Sequence, residues 1–296
     1  MPIKRFYELA RKSVQAWLDD YASSIGAAIA FYTVFSLAPL MLIVIGIAGF
    51  FWGEEAVRGE LMRQVGAMVG DSGAMAIEGV VRSSAEEPEQ GMIATAASIV
   101  FLAIGATRVF AELQSALDRI WKVPAKEETT GVWKLLRSRL LSFGLVLSLA
   151  FLLLVSLVIS AMLSALGGWL GGLMAGWELV LQALNILVSF GILMVLFAMI
   201  FKFMPQAEVA WKDVWTGAFV TALLFEIGKL LIGLYVGKSA VASSYAAAGS
   251  LVVVLLWVYY AAQVFLLGAE FTWVYANEHG SRAGRGGIPA DHDKKE

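Results

Sequence analysis

Glu226 and Lys229 place a carboxylate and an ammonium one helical turn apart inside the apolar run TALLFEIGKLLIGLYV. A second apolar run, LVVVLLWVYYAAQVFLLGAEF, carries Tyr259, Gln263 and Glu270. Arg108 closes an Ala-rich apolar stretch, and Asn185 sits in another, on one helical face with Gln182 and Ser189. Tyr32, Thr33, Ser36 and Pro39 interrupt AAIAFYTVFSLAPLMLIV. A charge near the middle of a bilayer costs ~2.5 to more than 10 kcal/mol, so these groups need a reason to be there. They can line a water-filled path that admits a polar or charged moiety. They can also be structural, because a buried charge that is paired within a helix bundle needs no function.

Other chemistries are excluded by residue type. The chain has no cysteine, which removes disulfides, thiol catalysis and thiolate metal sites. Its two histidines, His279 and His292, lie in the polar C-terminal tail, so no histidine cluster can form inside a membrane. No G-x-x-x-x-G-K-[ST] phosphate loop occurs. The expectation is a protein without enzymatic activity, with no cofactor and no metal.

The elements that must position these groups follow from composition. Of 296 residues, 59% are hydrophobic and 16% charged, and the mean hydropathy is +0.75. Soluble domains are nearer ~45–50% apolar and ~25% charged. The sequence therefore predicts an all-α polytopic membrane protein. Spans of ~20 apolar residues are expected at about 26–52, 91–109, 140–166, 177–203, 215–236 and 250–275. Residues 1–22 read as an amphipathic interfacial helix rather than a cleaved signal, with Ile3, Phe6, Ala10, Val14 and Trp17 as its apolar face. Ser23 or Ser24 can cap the first span, and Pro39 should kink or unwind it. Segment 53–90 reads as a polar loop with two short helices, 110–139 as a helical linker, and 277–296 as a disordered tail. Trp211 and Trp215 suit a membrane interface.

Orientation follows from charge. The N-terminus is basic, and residues 108–139 hold seven Lys/Arg against four acids. Segment 53–90 carries a net charge of −5, and the Gly-rich turn 167–176 has none. By the positive-inside rule both termini are cytosolic and 53–90 is extracytoplasmic. Glu226 then lies about 16 Å along its helix from Trp215, near the midplane, with Lys229 about 5 Å further on. Tyr259, Gln263 and Glu270 fall within about 40° on a helical wheel and form one polar stripe. Arg108 and Glu270 reach the cytosolic ends of their spans and are expected to pair as a gate.

The chain resembles the YihY/BrkB family of bacterial inner-membrane proteins. The resemblance is carried by AFYTVFSLAPL at 30–40, LQSALDRIWKV at 113–123, KFMPQAEVAWKDVWTGA at 202–218 and SYAAAGSLVVVLLWVYYAAQVFLLGAEF at 244–271. It implies six spans with both termini inside. Asp118 stands where the family often has Asn, so an amide-specific role there is not carried over. Members once bore a ribonuclease label. That label is disfavoured here, because the chain has no histidine cluster, no acidic metal motif and no basic soluble domain for RNA. The family's associations with serum resistance and envelope-lipid export imply transport.

The resulting expectation is an inner-membrane transporter or translocation factor for an amphipathic or anionic envelope molecule, a lipid in class. Glu226, Lys229, Tyr259, Gln263, Asn185, Tyr32 and Ser36 would bind substrate, Arg108 and Glu270 would gate, and Pro39 would hinge. Membrane lipids are the expected partners, with no nucleic acid. The serine stripe Ser156, Ser160, Ser164 and the glycine run 167–176 suit either tight bundle packing or a contact with a second copy or an envelope protein. The alternatives are a non-transporting membrane scaffold for envelope assembly and, third, a membrane-lipid enzyme.

Overall fold

A computed structural model describes residues 3–85, 108–124, 177–238 and 249–283. The predicted spans 91–109 (but for its last two residues) and 140–166 lie outside the described residues, as do the serine stripe, the glycine run and most of the basic linker. Every regular element among the described residues is an α-helix. These are α1 Ile3–Asp19, α2 Ala22–Trp52, α3 Glu54–Ala85, α4 over 108–120, α5 Trp177–Phe203, α6 Trp211–Lys238 and α7 Gly249–Glu278. At ~1.5 Å per residue, α2, α5, α6 and α7 each exceed the ~30 Å thickness of a hydrocarbon core. Among the described residues, Ile186–Phe203 and Val252–Glu278 are long and apolar enough to cross a membrane. Only 17% of Ile186–Phe203 is buried in the protein, although such a helix in a soluble protein would be a core element.

The chain divides into two compact units. The first comprises Met1–Asp20, Leu117–Leu224 and Leu267–Glu296. In it α1 lays Leu9 against Phe271 and Val274 of α7, with Val220 of α6 beside them. Ser13, also buried, donates to the Leu9 carbonyl at 2.8 Å and so leaves no loose polar group in that contact. The face of α1 that contains Phe6 and Val14 is exposed, together with Tyr7 and Leu18. Part of the expected apolar stripe still meets protein, for the Phe6 ring lies 6.4 Å from that of Phe271.

Along the same unit α6 and α7 run antiparallel, because Gly217 meets Thr272 and Thr221 meets Gly268. Each threonine also donates to the carbonyl of the glycine four residues before it, Thr221 to Gly217 and Thr272 to Gly268, both at 2.7 Å. Small residues let the two backbones approach closely where lipid offers no hydrophobic drive. The opposite face of α6 leaves Trp215, Phe219 and Leu223 exposed.

The second unit comprises Tyr21–Ala116 and Phe225–Leu266. Here α2 and α3 form a helical hairpin with Gly53 as its only link. Gly53 adopts φ 86° and ψ 134°, a conformation open to glycine. A Cβ on Gly49 would stand 3.1 Å from the Glu54 backbone, so a small residue is needed for the tight return. The hairpin is held by Met41 and Ile45 of α2, Ile77 of α3 and Val254 of α7. Ile227 and Leu231 of α6 are exposed.

Four local expectations are corrected. The two short helices expected within 53–90 are one continuous helix of 32 residues, because no proline or capping break divides them. Neither Ser23 nor Ser24 caps α2; the cap position is Tyr21, in a left-handed conformation at φ 54° with no side-chain cap bond. The helical backbone of α2 runs through Pro39 without interruption, so the unwinding expected there does not occur. The tail is ordered through residue 283: α7 continues to Glu278, and Ser281 and Arg282 are then tied to the first unit.

Candidate functional site

Glu226 and Lys229 are brought together. The Lys229 Nζ lies 2.7 Å from Glu226 Oε2, the i,i+3 pair that their spacing requires. The neighbouring residues of α6 pack on α7 within the second unit. Phe225 meets Trp257 edge-on at 5.9 Å, and Gly228 is overlain by the Tyr260 ring. The ion pair itself is not sealed by that contact: Glu226 is 33% exposed and Lys229 36%. It sits on the flank between the packed face and the exposed apolar face marked by Leu223 and Ile227. A carboxylate and an ammonium in this position can bind the complementary charges of a zwitterionic or anionic group.

The other predicted binding residues have varied surroundings. Gln263 reaches from α7 across Gly26 to the Ala22 and Ser23 carbonyls at 3.5 and 3.4 Å, so it closes the start of α2. Its Oε1 is buried without a hydrogen-bond partner. Ser36 is buried and donates to the Thr33 carbonyl at 2.9 Å, which commits its hydroxyl to its own helix. Tyr32 and Tyr259 are half-buried, Tyr32 with an edge contact from Phe31 at 5.8 Å. The side chains of Asn185, Gln182 and Pro39 lie outside the described residues.

Glu270 has surroundings other than those expected. It is fully buried, in the first unit, at 0% exposure. Neither of its oxygens has a hydrogen-bond partner. The charged groups that act on it are Asp20, Lys122 and Asp19. Asp20 is held by Lys122 through both oxygens, at 2.9 and 2.8 Å. Arg108 belongs to the second unit, and its side chain is exposed. The charges felt by Glu270 within its own unit thus come from Asp20, Lys122 and Asp19. Asp20 was invisible to sequence reasoning, because it ends a polar helix far from the apolar runs.

Lys122 is positioned at a cost. It ends α4 in the left-handed conformation, φ 51°. The Lys122 N–H bonds to the Arg119 carbonyl and the Val123 N–H to the Asp118 carbonyl, both at 2.9 Å. This is the Schellman arrangement, in which the left-handed position is usually glycine. A β-carbon there costs about 1–2 kcal/mol. The ammonium also lies 5.6 Å from the Trp273 ring centroid, a cation–π contact.

A second network ties the polar end of the first unit. Asp118 accepts from the Gln206 backbone N–H at 2.7 Å and from its amide at 3.1 Å. Arg282 stacks 4.9 Å over Trp121 and donates to the Glu208 carbonyl at 2.9 Å. Lys202 donates to the Val209 carbonyl at 2.6 Å and lies over Trp211, which is exposed with Trp215 as interface aromatics would be.

Against known families, the one described as Virulence factor BrkB matches residues 13–292. The chain belongs to this family. Curated relatives carry the name UPF0761 membrane protein. One from Stenotrophomonas maltophilia is 28% identical over 259 residues, which is 86% of this chain and 58% of the relative. One from Pseudomonas aeruginosa is 26% identical over 269 residues, 88% of this chain and 61% of its own. A third, from Pseudoalteromonas translucida, is 27% identical over 260 residues and is covered over 81% of its length. The chain thus spans about three-fifths of the first two relatives. No solved structure matches it. Family and fold agree that this BrkB-family chain is a membrane protein with an all-α architecture among the described residues.

Within the BrkB-family stretches lie Asp118, Lys122 and Glu270, described above, and Gly217 and Gly268 of the α6–α7 contact. The glycine–threonine spacing G-x-x-x-T at 217–221 and 268–272 was a readable signal for close helix packing.

Proposed function

We propose that this protein is a bacterial inner-membrane transporter or translocation factor for an amphipathic, anionic envelope molecule of lipid class. The reading includes six membrane spans and cytosolic termini. The carrying observation is the Glu226–Lys229 ion pair, a third exposed on a helix whose outer face is apolar. A pair kept only for packing would be enclosed by protein, because intramembrane charges turn toward the bundle interior or toward water. One that remains accessible offers both charges to a passing headgroup, while the apolar flank of α6 accommodates acyl chains. The exposed, basic and aromatic α1, with Lys4, Arg5, Phe6, Tyr7 and Arg11, supports an interfacial position on an anionic leaflet.

The test is flux of a headgroup-labelled anionic phospholipid in liposomes that hold the purified full chain. Wild type is expected to move the lipid well above protein-free liposomes. Glu226→Gln and Lys229→Met are each expected to lower that flux at least about tenfold, equivalent to a barrier of ~1.4 kcal/mol. Equal flux from all three proteins would remove the pair from the mechanism. No flux from well-folded wild type would favour the scaffold reading.

A further inference from the structure

The junction of α5 and α6 gathers cations and exposed aromatic rings at one spot. Phe203, the last residue of α5, meets Trp211, the first of α6, edge-on at 5.9 Å. Trp211 in turn lies 6.5 Å from Trp215, one helical turn further on. All three rings are exposed, at 56, 46 and 39%. Lys202 holds its ammonium 5.6 Å from the Trp211 centroid and donates to the Val209 carbonyl at 2.6 Å. An ammonium has three N–H donors, so that bond leaves two for a ligand.

Lys212 adds a second cation, and helical geometry sets where it stands. At ~100° per residue Lys212 and Phe219 fall within about 20° of each other on α6, flanked by Trp215 and Leu223. All four are exposed. The buried face, with Asp213, Gly217 and Thr221, is opposite, and the Asp213 carboxylate is committed there to Ser281. The loop itself carries one acid, Glu208, between Lys202 and Lys212. From Lys212 to Leu223 the exposed ridge is about 16 Å long, close to half of a ~30 Å hydrocarbon core.

We propose that the junction of α5 and α6 is a binding site for one anionic phospholipid, with its phosphate on Lys202 and Lys212 and an acyl chain along Trp215, Phe219 and Leu223. Every residue of the site lies in the first unit. A plain aromatic belt needs only rings at headgroup level. Here one ammonium is seated on a ring and a second heads the apolar ridge, which suits a ligand with a charged end and an apolar body. A zwitterionic headgroup brings an ammonium of its own and matches two lysines less well than an anionic one does. Free phosphate has nothing to lay on the ridge. The site presupposes the membrane placement of α5 and α6 read above, but it does not presuppose transport.

The experiment is native mass spectrometry of the purified full chain in detergent, titrated with phosphatidylglycerol or with phosphatidylcholine of the same acyl chains. Wild type is expected to retain phosphatidylglycerol at least about fivefold more tightly than phosphatidylcholine. Lys212→Gln is expected to weaken phosphatidylglycerol about fivefold and to leave phosphatidylcholine unchanged. Lys212→Gln together with Lys202→Met removes the preference. Equal retention of the two lipids by wild type overturns the proposal, and that result needs no variant to fold. A wild-type preference in both Lys212→Gln and Lys212→Glu also overturns it. So does a preference lost instead in Arg11→Gln or in Lys229→Met, which assigns the anionic lipid to α1 or to the Glu226–Lys229 pair. Retention is read without flux, so this site and the transport reading can fail separately.

Discussion

Thr221 places its hydroxyl in the space that a Cβ on Gly268 would need. Thr272 does the same at Gly217, so the two helices interlock through reciprocal glycine–threonine contacts. Neither threonine is free to turn away, because each hydroxyl is bonded at 2.7 Å to a carbonyl of its own helix. Gly268→Ala and Gly217→Ala are therefore expected to destabilise the protein by about 1–3 kcal/mol each, the usual cost of overpacking. Equilibrium unfolding in mixed detergent micelles measures this. Adding Thr221→Ala to Gly268→Ala should recover part of the loss, and strict additivity of the two would show that they do not touch.

Asp118 replaces an amide by a carboxylate at a position where only acceptors are used. Its two oxygens accept from the Gln206 backbone and side chain. Asparagine retains one carbonyl oxygen for the backbone N–H, whereas alanine leaves that donor unsatisfied. Asp118→Asn should cost less than about 1 kcal/mol and Asp118→Ala about 1–3 kcal/mol. Thermal unfolding of the two variants orders them, and a larger loss for Asn than for Ala would contradict the geometry.

Much of this arrangement was legible in the chain, and the exceptions share a cause. Apolar run length located α2, α5, α6 and α7, and i,i+3 spacing located the Glu226–Lys229 pair, because both are local properties. Helical spacing put Tyr259, Gln263 and Glu270 on one line along α7, but it could not give their surroundings. Gln263 meets the start of α2, 241 residues away in the chain, and the charges felt by Glu270 come from Asp20 and Lys122. Depth along a span was the sequence's guide to such surroundings. Depth fixes one coordinate and leaves the direction around the helix open. The continuity of α3 was missed for a different reason: its helical stretches were read apart, although no proline divides them.

Gly53 is a clean test of backbone demand. Nothing lies within 4 Å of where its Cβ would be, so any cost of substitution is conformational. At φ 86° and ψ 134° the backbone is outside the regions that L-residues populate, including the left-handed helical one that asparagine tolerates. Gly53→Ala and Gly53→Asn are both expected to destabilise by about 1–3 kcal/mol. The loss should appear as faster hydrogen exchange at the α2–α3 turn. Wild-type protection in Gly53→Asn would mean that the turn relaxes into another geometry.

Asp213 offers the sharpest separation of local from global effects. It lies in the first turn of α6 and is buried to 1% exposure. Its Oδ2 accepts from the Ser281 hydroxyl at 2.6 Å, and both oxygens accept from the Ser281 N–H at 3.2 and 3.3 Å. A carboxylate there also complements the positive end of the α6 dipole. The segment after α7 is otherwise held by Arg282 at Trp121 and Glu208 and by backbone bonds to Tyr275 and Ala276. Asp213→Ala removes every acceptor and leaves Ser281 unsatisfied, at about 1–3 kcal/mol. Residues 279–283 should then detach, and cleavage after Arg282 by trypsin should speed up by a factor of about five or more, because opening that segment becomes cheaper by that energy. Asp213→Asn keeps one acceptor and should lie between the two. Ser281→Ala should reproduce the faster cleavage while leaving the start of α6 intact. If Asp213→Ala cleaves like wild type, the anchor is Arg282 rather than Asp213.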